Sequence, residues 1–364
     1  MRSSTRPLAL ALVGLLAVAA CGPGATSDAP ASVTPSTAPT TTPSTEPTAE
    51  PSEALTGTLT IYAGRSEELV GPLVEEFAES TGLDVQVNYA GTTDLAATIL
   101  EEGDASPADV FFAQDAGALG AVAAAGQLAG LSAETLAAVD PRFVSDDGQW
   151  VGVSGRARVV VFDTRVLEEA DLPTSIDAFT DPAWKGRIGW APTNASLQSF
   201  VTAYRVIKGD EAATAWLEGI VANEPKVYDG NDAVLAAVAA GEVEVGFVNH
   251  YYLMRQLAEQ GDSFPVRNHF LAGDDPGSLV NVAGAGILTT APNPVAAAAF
   301  VDFLLSAESQ EYFATETHEY PLIAGIEANP ALPPLAEIAS PDIDLSDLAD
   351  LQGTLTLMQE AGAL

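Results

Sequence analysis

The segment 59–113 of this chain, which opens with LTIYAGRSEELVGPLVEEF, decides the class of fold. Residues 59–63 are typical of a β-strand, and residues 67–80 then place apolar side chains on one stripe at helical spacing. The same order repeats at once, with a strand over 83–89, a helix over 94–102 and a third strand over 108–113. Alternating strands and helices with short connections favour a parallel sheet covered by helices on both faces. The sequence therefore predicts an α/β fold.

A second α/β unit follows the first. A long β-rich stretch over 150–162, interrupted at Ser154-Gly155, leads into further predicted helices and strands. The order of these elements predicts a first lobe over 56–153, a second lobe over 154–280, and a return to the first lobe with C-terminal helices over 281–364. Two lobes joined by crossing strands can close by hinge motion on a ligand in the cleft between them.

The first 21 residues have the pattern of a targeting segment. Arg2 and Arg6 precede an apolar run over 8–18, which is shorter than the roughly 20 residues that a membrane-spanning helix needs. The run ends in VAAC (18–21), which resembles the lipobox of bacterial lipoproteins, where cleavage leaves a lipidated cysteine. We therefore expect Cys21, the single cysteine of the chain, to carry a lipid anchor outside the cytoplasm. The alternative is a free thiol in an uncleaved anchor.

Residues 22–55 consist mostly of Thr, Pro, Ser, Ala and Glu. A segment with so few large apolar side chains cannot offset the entropy of its own ordering. We therefore expect a disordered tether between the anchor and a globular body.

The charge of the chain excludes one class of partner. Fourteen Lys and Arg stand against 50 Asp and Glu, for a net charge of −36. Such a surface repels nucleic acid and favours cations, although a merely solubilising surface explains most of the acids equally well. Motifs for nucleotide binding (GxGxxG, P-loop) and for hydrolysis (GxSxG, HExxH) do not occur, so an anchored hydrolase is only a remote alternative.

The stretch VEVGFVNHYYLMRQ (243–256) carries the most informative side chains. Its first half alternates like a strand, and Tyr251 and Tyr252 stand where the strand ends and a helix is expected to open. Ligands of α/β proteins bind beyond the carboxyl ends of strands. The tyrosines are therefore either packing residues with solvated hydroxyls or phenol oxygens aimed at a ligand. His250 is expected on extended backbone, pointing away from them, and we interpret all three histidines as structural.

Four segments together resemble one family: LTIYAGRSEELV (59–70), PADVFFAQDAGAL (107–119), WKGRIGWAPTNAS (184–196) and VYDGNDAVLAAVAAGEVEVGFVNHYYLMR (227–255). The resemblance is to the periplasmic ferric-ion-binding proteins, which are monomeric receptors of bacterial iron(III) ABC transporters with the two-lobed type II periplasmic-binding-protein fold. It implies that Tyr251 and Tyr252 bind Fe³⁺ in the cleft, and that a permease and its ATPase are the partners. A hard trivalent cation does prefer charged oxygen ligands and can deprotonate a phenol.

The resemblance also implies a synergistic anion, carbonate or phosphate, held by Thr193, Asn194, Ser196, Asn231 and Asn249. Asn194 and Ser196 precede a predicted helix, and a helix N-terminus attracts anions. An ordinary N-cap is the competing interpretation of these two residues.

Two arginines, Arg156 and Arg158, lie at the predicted lobe junction, and strand alternation places them on one face. One of them resembles the anion-binding arginine of some family members. We favour Arg156 for this role; a surface ion pair is the alternative.

The chain also departs from the pattern of the family. Some members have a metal-binding histidine where this chain has Arg65 and Ser66, and a glutamate where it has Gln114. We expect these three residues to lie behind the ligands. A third tyrosine could then bind the metal, and the candidates, which spacing does not rank, are Tyr62, Tyr89, Tyr204 and Tyr228. The principal alternative function keeps the fold but binds an organic anion, such as a phosphonate or sugar phosphate, against an aromatic wall of Tyr251 and Tyr252.

Overall fold

The computed structural model describes residues 55–271, 273–338 and 340–364, which belong to one compact unit. The predicted signal segment with Cys21, and the predicted tether up to residue 54, lie outside the described residues. Among the described helices, none has the length and apolarity to cross a membrane.

The first three strands form the parallel arrangement that the sequence predicts. Strand β1 pairs in parallel with both β2 and β3, so that the carboxyl ends of the three strands lie at the same edge of the sheet. The third strand begins at Val110 rather than at 108. The elements of this part are β1 (Thr58–Ala63), α1 (Glu67–Thr81), β2 (Asp84–Tyr89), α2 (Thr92–Glu102), β3 (Val110–Ala113), α3 (Ala116–Ala124) and α4 (Ala133–Ala137).

One long strand, β4 (Trp150–Asp163), is buried along its whole length. Ser154-Gly155 does not interrupt it; the irregularity is a shift of register between Gly152 and Ser154. A Cβ on Gly152 would lie 3.0 Å from the Phe143 carbonyl oxygen, which explains the glycine at this crowded point. The predicted lobe boundary at 153/154 falls within β4, and the division into lobes stays a prediction.

The second part of the chain adds strands and helices on the other side of β4. Strand β5 pairs in parallel with β6 and β7, and β7 pairs antiparallel with β4. The elements are β5 (Ile188–Trp190), α5 (Ala195–Lys208), α6 (Asp210–Ala222), β6 (Lys226–Val227), α7 (Asn231–Ala240), β7 (Val245–Asn249), α8 (Tyr251–Gln260) and β8 (Val266–His269).

The last part returns to the first strands. Strand β9 lies between β3 and β4 and is antiparallel to both, which gives a mixed sheet of order β2-β1-β3-β9-β4-β7-β5-β6. The remaining elements are β9 (Val280–Ile287), α9 (Pro294–Leu304), α10 (Ala307–Thr315), β10 (Tyr320–Pro321) and α11 (Leu351–Glu360).

Strand β7 is fixed between two apolar cores. Val248 belongs to the core around β1–β3, whereas Val245 and Phe247 belong to the core around α5 and α6. The Phe247 ring packs edge-on against Phe179, with centroids 5.4 Å apart. Truncating such a buried ring to alanine costs about 3–5 kcal/mol of stability. The strand that leads to the tyrosine pair is therefore rigidly held.

Candidate metal centre

A cavity of about 390 Å³ opens at the carboxyl ends of the parallel strands. The cavity is lined by the loops after β1, β2 and β3 and by the starts of α5, α7 and α8. Several helix N-termini therefore point at the same space, a geometry that favours negative charge. The polar side chains at its wall are Arg65, Ser66, Tyr89, Gln114, Asn194, Asn231, Asp232, Tyr251 and Tyr252.

The backbone at His250 differs from the expectation of an extended residue. It is helical (φ −59°, ψ −36°), and α8 begins directly at Tyr251. The cause is the buried imidazole, whose Nδ1 accepts a hydrogen bond from the Ala157 amide (3.1 Å) and whose Nε2 pairs with the His318 carbonyl (3.0 Å). Burial lowers the pKa of His250 to about 4, so the ring is neutral at pH 7. His250 thus holds the start of α8 against β4.

The two tyrosines occupy successive positions in the first turn of α8. Their rings stack with centroids 4.2 Å apart and an interplanar angle of 27°. Only 1% of Tyr251 and 7% of Tyr252 is exposed, yet both line the cavity. Burial raises the pKa of Tyr252 well above its ordinary value, and the neighbouring Tyr251 and Asp232 raise it further. Tyr252 therefore keeps its proton at neutral pH.

The three residues expected behind the ligands all line the cavity. Arg65 is buried and its Nη2 lies 2.8 Å from both carboxylate oxygens of Glu319. The Gln114 Nε2 donates to the Asn194 Oδ1 (3.4 Å) and so links the loop after β3 to the start of α5. Ser66 precedes α1, and its side chain makes no capping hydrogen bond there.

The predicted anion-binding residues are partly assembled. The Asn194 Oδ1 accepts from the Ser196 amide (3.0 Å), from the Ser196 hydroxyl (2.6 Å) and from Asn231 (3.3 Å). The N-cap interpretation of Asn194 is therefore correct, and it leaves an anion role open. Among the described residues, Asn231 Oδ1 and Asn249 Nδ2 are buried without a hydrogen-bond partner. Thr193 is exposed and does not line the cavity.

Both arginines of β4 are buried, so the interpretation of either as half of a surface ion pair is wrong. Arg156 donates to the Gln114 carbonyl oxygen. Arg158 donates to the Phe247 carbonyl (3.1 Å), and its Nη1 lies 3.5 Å from the Ser196 hydroxyl. The described residues provide no acidic partner for Arg158 within salt-bridge distance. Arg156 as the anion ligand stays a prediction, and Arg158 has the more direct contact with Ser196.

The structure ranks the four candidate tyrosines. Tyr89, the last residue of β2, lines the cavity, and the other three do not. Their hydroxyls bind acids elsewhere: Tyr62 binds Glu102 (3.0 Å), Tyr204 binds Asp177 (2.5 Å) and Tyr228 binds Glu242 (3.3 Å).

Two acids at this site were missed by the sequence analysis. Asp232, in the first turn of α7, lines the cavity, and its charge acts on Tyr252. Partial desolvation raises the pKa of Asp232. The sequence analysis could have found Asp232, because it directly follows Asn231, which was already predicted to lie at the site. Glu319 carried no local signal, because it lies 254 residues from Arg65 along the chain.

Comparisons with known proteins show the family of this chain. Residues 72–339 match the family model described as bacterial extracellular solute-binding protein. The "Fe(3+)-binding periplasmic protein" of Serratia marcescens is 34% identical over 308 residues, which cover 84% of this chain and 90% of that protein. The "Major ferric iron-binding protein" of Neisseria meningitidis serogroup B is 36% identical over 307 residues, which cover 84% and 92%. Both relatives are named for binding rather than for catalysis.

A solved structure is also similar. Iron-bound HitA from Pseudomonas aeruginosa superposes with a TM-score of 0.80 at 37% identity, over 84% of this chain and 99% of that one. This likeness confirms the predicted class of fold.

Proposed function

This chain belongs to the family of bacterial extracellular solute-binding proteins, and from that premise we propose that it captures ferric iron together with an anion. The observation that carries the proposal is the stacked pair Tyr251 and Tyr252 at the wall of a polar cavity. Fe³⁺ favours charged oxygen ligands, and two adjacent phenols can supply them once the cation displaces their protons. The relatives named above bind ferric iron.

Charge balance supports an accompanying anion. Two phenolates leave one positive charge on Fe³⁺, and Arg158 adds a second charge that no described acid neutralises through an ion pair. Carbonate or phosphate, together with Asp232 at the cavity wall, would offset these charges. The anion would meet Ser196 and the N-terminus of α5. The Arg65–Glu319 pair is neutral as a unit and leaves this balance unchanged.

The partners and the location extend the same proposal. The family and the resemblance favour an ABC transporter as the acceptor of the iron, with the protein held outside the cytoplasm by a lipid on Cys21. The intact mass of the protein extracted from membranes tests the anchor, because an unmodified Cys21 would exclude it.

An organic anion is the second candidate cargo. Arg158, Ser196 and the orphan Asn249 amide could bind a phosphonate or a sugar phosphate, with the tyrosines as an aromatic wall. This candidate predicts binding that does not require a metal. A titration with ferric salt separates the iron candidate from the organic-anion candidate.

Ferric titration of the purified protein with bicarbonate present tests the proposal. We expect a red-purple colour from phenolate-to-iron charge transfer. Tyr251→Phe and Tyr252→Phe should each weaken ferric binding by orders of magnitude, because each removes one ligand oxygen and leaves the ring in place. Tyr62→Phe is the control, because it removes a phenol that binds Glu102 away from the cavity. A colourless protein whose melting temperature does not change with Fe³⁺ would exclude iron as the cargo.

A further inference from the structure

Arg65 lies beside the tyrosine pair, although its own positive charge prevents it from binding a cation. Its guanidinium carbon lies 5.9 Å from the centroid of the Tyr251 ring, and its charge acts on both Tyr251 and Tyr252. The residue is 2% exposed and lines the cavity. A positive charge therefore lies beside the two tyrosines.

The loop that carries Arg65 is fixed by its neighbours. The Thr92 hydroxyl donates to the Gly64 carbonyl (3.0 Å) and accepts from the Gln114 amide (3.0 Å). A Cβ on Gly64 would lie 2.0 Å from that hydroxyl oxygen, so the loop after β1 approaches α2 as only glycine permits. This contact sets the point at which the Arg65 side chain leaves the backbone.

Glu319 fixes the far end of the same side chain. Both of its oxygens lie 2.8 Å from Arg65 Nη2, and one also accepts from Ser154 (3.1 Å) and Thr317 (3.1 Å). The carboxylate is fully buried, so its charge needs all of these donors. Arg65 is thereby held at both ends, whereas its Nε has no partner among the described residues.

We propose that Arg65, anchored by Glu319, is a positioning residue for the iron site: it orients the Tyr251 ring and keeps a fixed positive charge beside both phenol oxygens. This inference rests on the proposed function. A cation close to two phenolates offsets their mutual repulsion when they meet the metal. It also makes them weaker electron donors, which raises the energy of the phenolate-to-iron charge-transfer band. A purely structural tie between the loop after β1 and the segment before β10 would have neither effect.

The test uses a paired substitution, because Arg65→Gln alone would leave the Glu319 carboxylate buried and unpaired. Arg65→Gln with Glu319→Gln keeps hydrogen-bonding amides and removes both charges. Because the pair is neutral as a unit, the variant changes no net charge, and we expect ferric affinity to fall only severalfold, since the Tyr251 ring loses the group that orients it. We expect the visible band to move to longer wavelength, because the positive charge beside the tyrosines is gone. Arg65→Lys, which keeps the charge, should retain most of the affinity. The matched control is Arg165→Gln with Asp163→Asn, an ion pair (2.7 Å) that does not line the cavity.

A second measurement does not depend on iron. The metal-free protein is labelled with ¹³C-tyrosine, and the Cζ resonances of Tyr251 and Tyr252 are recorded. These resonances should shift in the double variant Arg65→Gln/Glu319→Gln and stay unchanged in the control variant Arg165→Gln/Asp163→Asn. If the wild type binds no ferric iron, the proposed function fails, and these resonances still decide whether Arg65 acts on the tyrosines. Unchanged resonances, or unchanged affinity and band position with only a lower melting temperature, would overturn the inference.

Discussion

Among the described residues, Asp232 is the one acidic side chain that lines the cavity together with the tyrosine pair. Some members of the resembling family have a glutamate where this chain has the neutral Gln114. Asp232 approaches the same space from a different element, the first turn of α7. Its negative charge adds to the charge of two phenolates, and a trivalent cation balances three such groups. We therefore propose that Asp232 is a third anionic ligand or a near neighbour of the bound metal.

Asp232→Asn should weaken ferric affinity by about tenfold at most, because Asp232 is exposed and water screens its charge. The substitution removes one negative charge from the cavity wall and preserves the shape of the side chain. Competition for Fe³⁺ against a series of citrate concentrations measures the change. Asp229→Asn is the matched control: it makes the same change three residues earlier, at an exposed position outside the cavity wall. Equal affinities for the two variants would show that only the overall charge matters.

The sequence indicated the site residues that are marked by their position in a strand or helix. It did not indicate residues that interact with a partner far away along the chain. Tyr251 and Tyr252 stand at the end of an alternating strand, which marks a ligand position in this class of fold. Tyr89 could have been ranked above Tyr62, because only Tyr89 is the last residue of its strand. The sequence predicted that Arg65 lies near the ligands, but it did not predict the ion pair with Glu319. The fold brings Glu319 to Arg65, and their spacing along the chain gives no signal.

At the N-terminus of α5, the Asn194 side chain caps the helix and also contacts two other elements. Asn194 caps the helix through the Ser196 amide, and the same oxygen receives Asn231 and Gln114 from other elements. Arg158 reaches Ser196 from β4. A helix start with these donors and a nearby buried arginine is suited to an anion. Capping and anion binding can be separated by substitution.

Asn194→Asp keeps a cap acceptor and introduces a negative charge where the anion should bind. We expect its stability to stay near that of the wild type, while the bicarbonate or phosphate that ferric binding requires rises by an order of magnitude or more. Asn194→Ala should lose about 1 kcal/mol of stability, the usual cost of removing an N-cap. Urea unfolding and ferric titration at several anion concentrations measure the two effects. Asn194→Asp with an unaltered anion requirement would assign Asn194 to capping alone.

The sequence predicted most of the helices and strands, but it did not predict the residues at which they begin and end. The helix that was predicted to follow Ser196 begins one residue before it, at Ala195, because the Asn194 cap starts the turn. The predicted extended residue at His250 is helical, because its ring bonds to Ala157 and His318. Both errors arise where a side chain competes with the local pattern, and such bonds depend on the tertiary structure.

A buried polar cluster connects several distant segments of the molecule at the strands that cross the sheet. Asn281 in β9 accepts from the Ala116 amide (3.2 Å) and donates to Ser199 in α5 (2.7 Å). Asp115 caps α3 in the same region, and the charge of Arg156 in β4 acts on its carboxylate. Spacing could not predict this cluster, because its members come from four separate elements.

Asp115 gives a stability prediction for the whole molecule. Burial raises its pKa from 3.8 to about 6, although the Ala118 amide and Arg156 act in the opposite direction. The folded state therefore holds this proton more tightly than the unfolded state does. The resulting stability is fully present below pH 3.8 and is lost as the pH rises towards 6. At about 1.4 kcal/mol per pKa unit, the loss is up to about 3 kcal/mol.

Asp115→Asn is permanently neutral and can still accept the Ala118 hydrogen bond that caps α3. It should therefore be more stable than the wild type at pH 7, by up to about 3 kcal/mol, and the difference should vanish as the pH falls to about 4. Free energies of unfolding in urea at several pH values measure this. Asp140→Asn is a control of opposite sign, because the Arg142 amide lowers the pKa of Asp140 and favours its charged form. That variant should be less stable at pH 7. If Asp115→Asn is the less stable protein at neutral pH, the Asp115 charge is instead required to balance Arg156, and the cluster is held by that attraction rather than weakened by a buried acid.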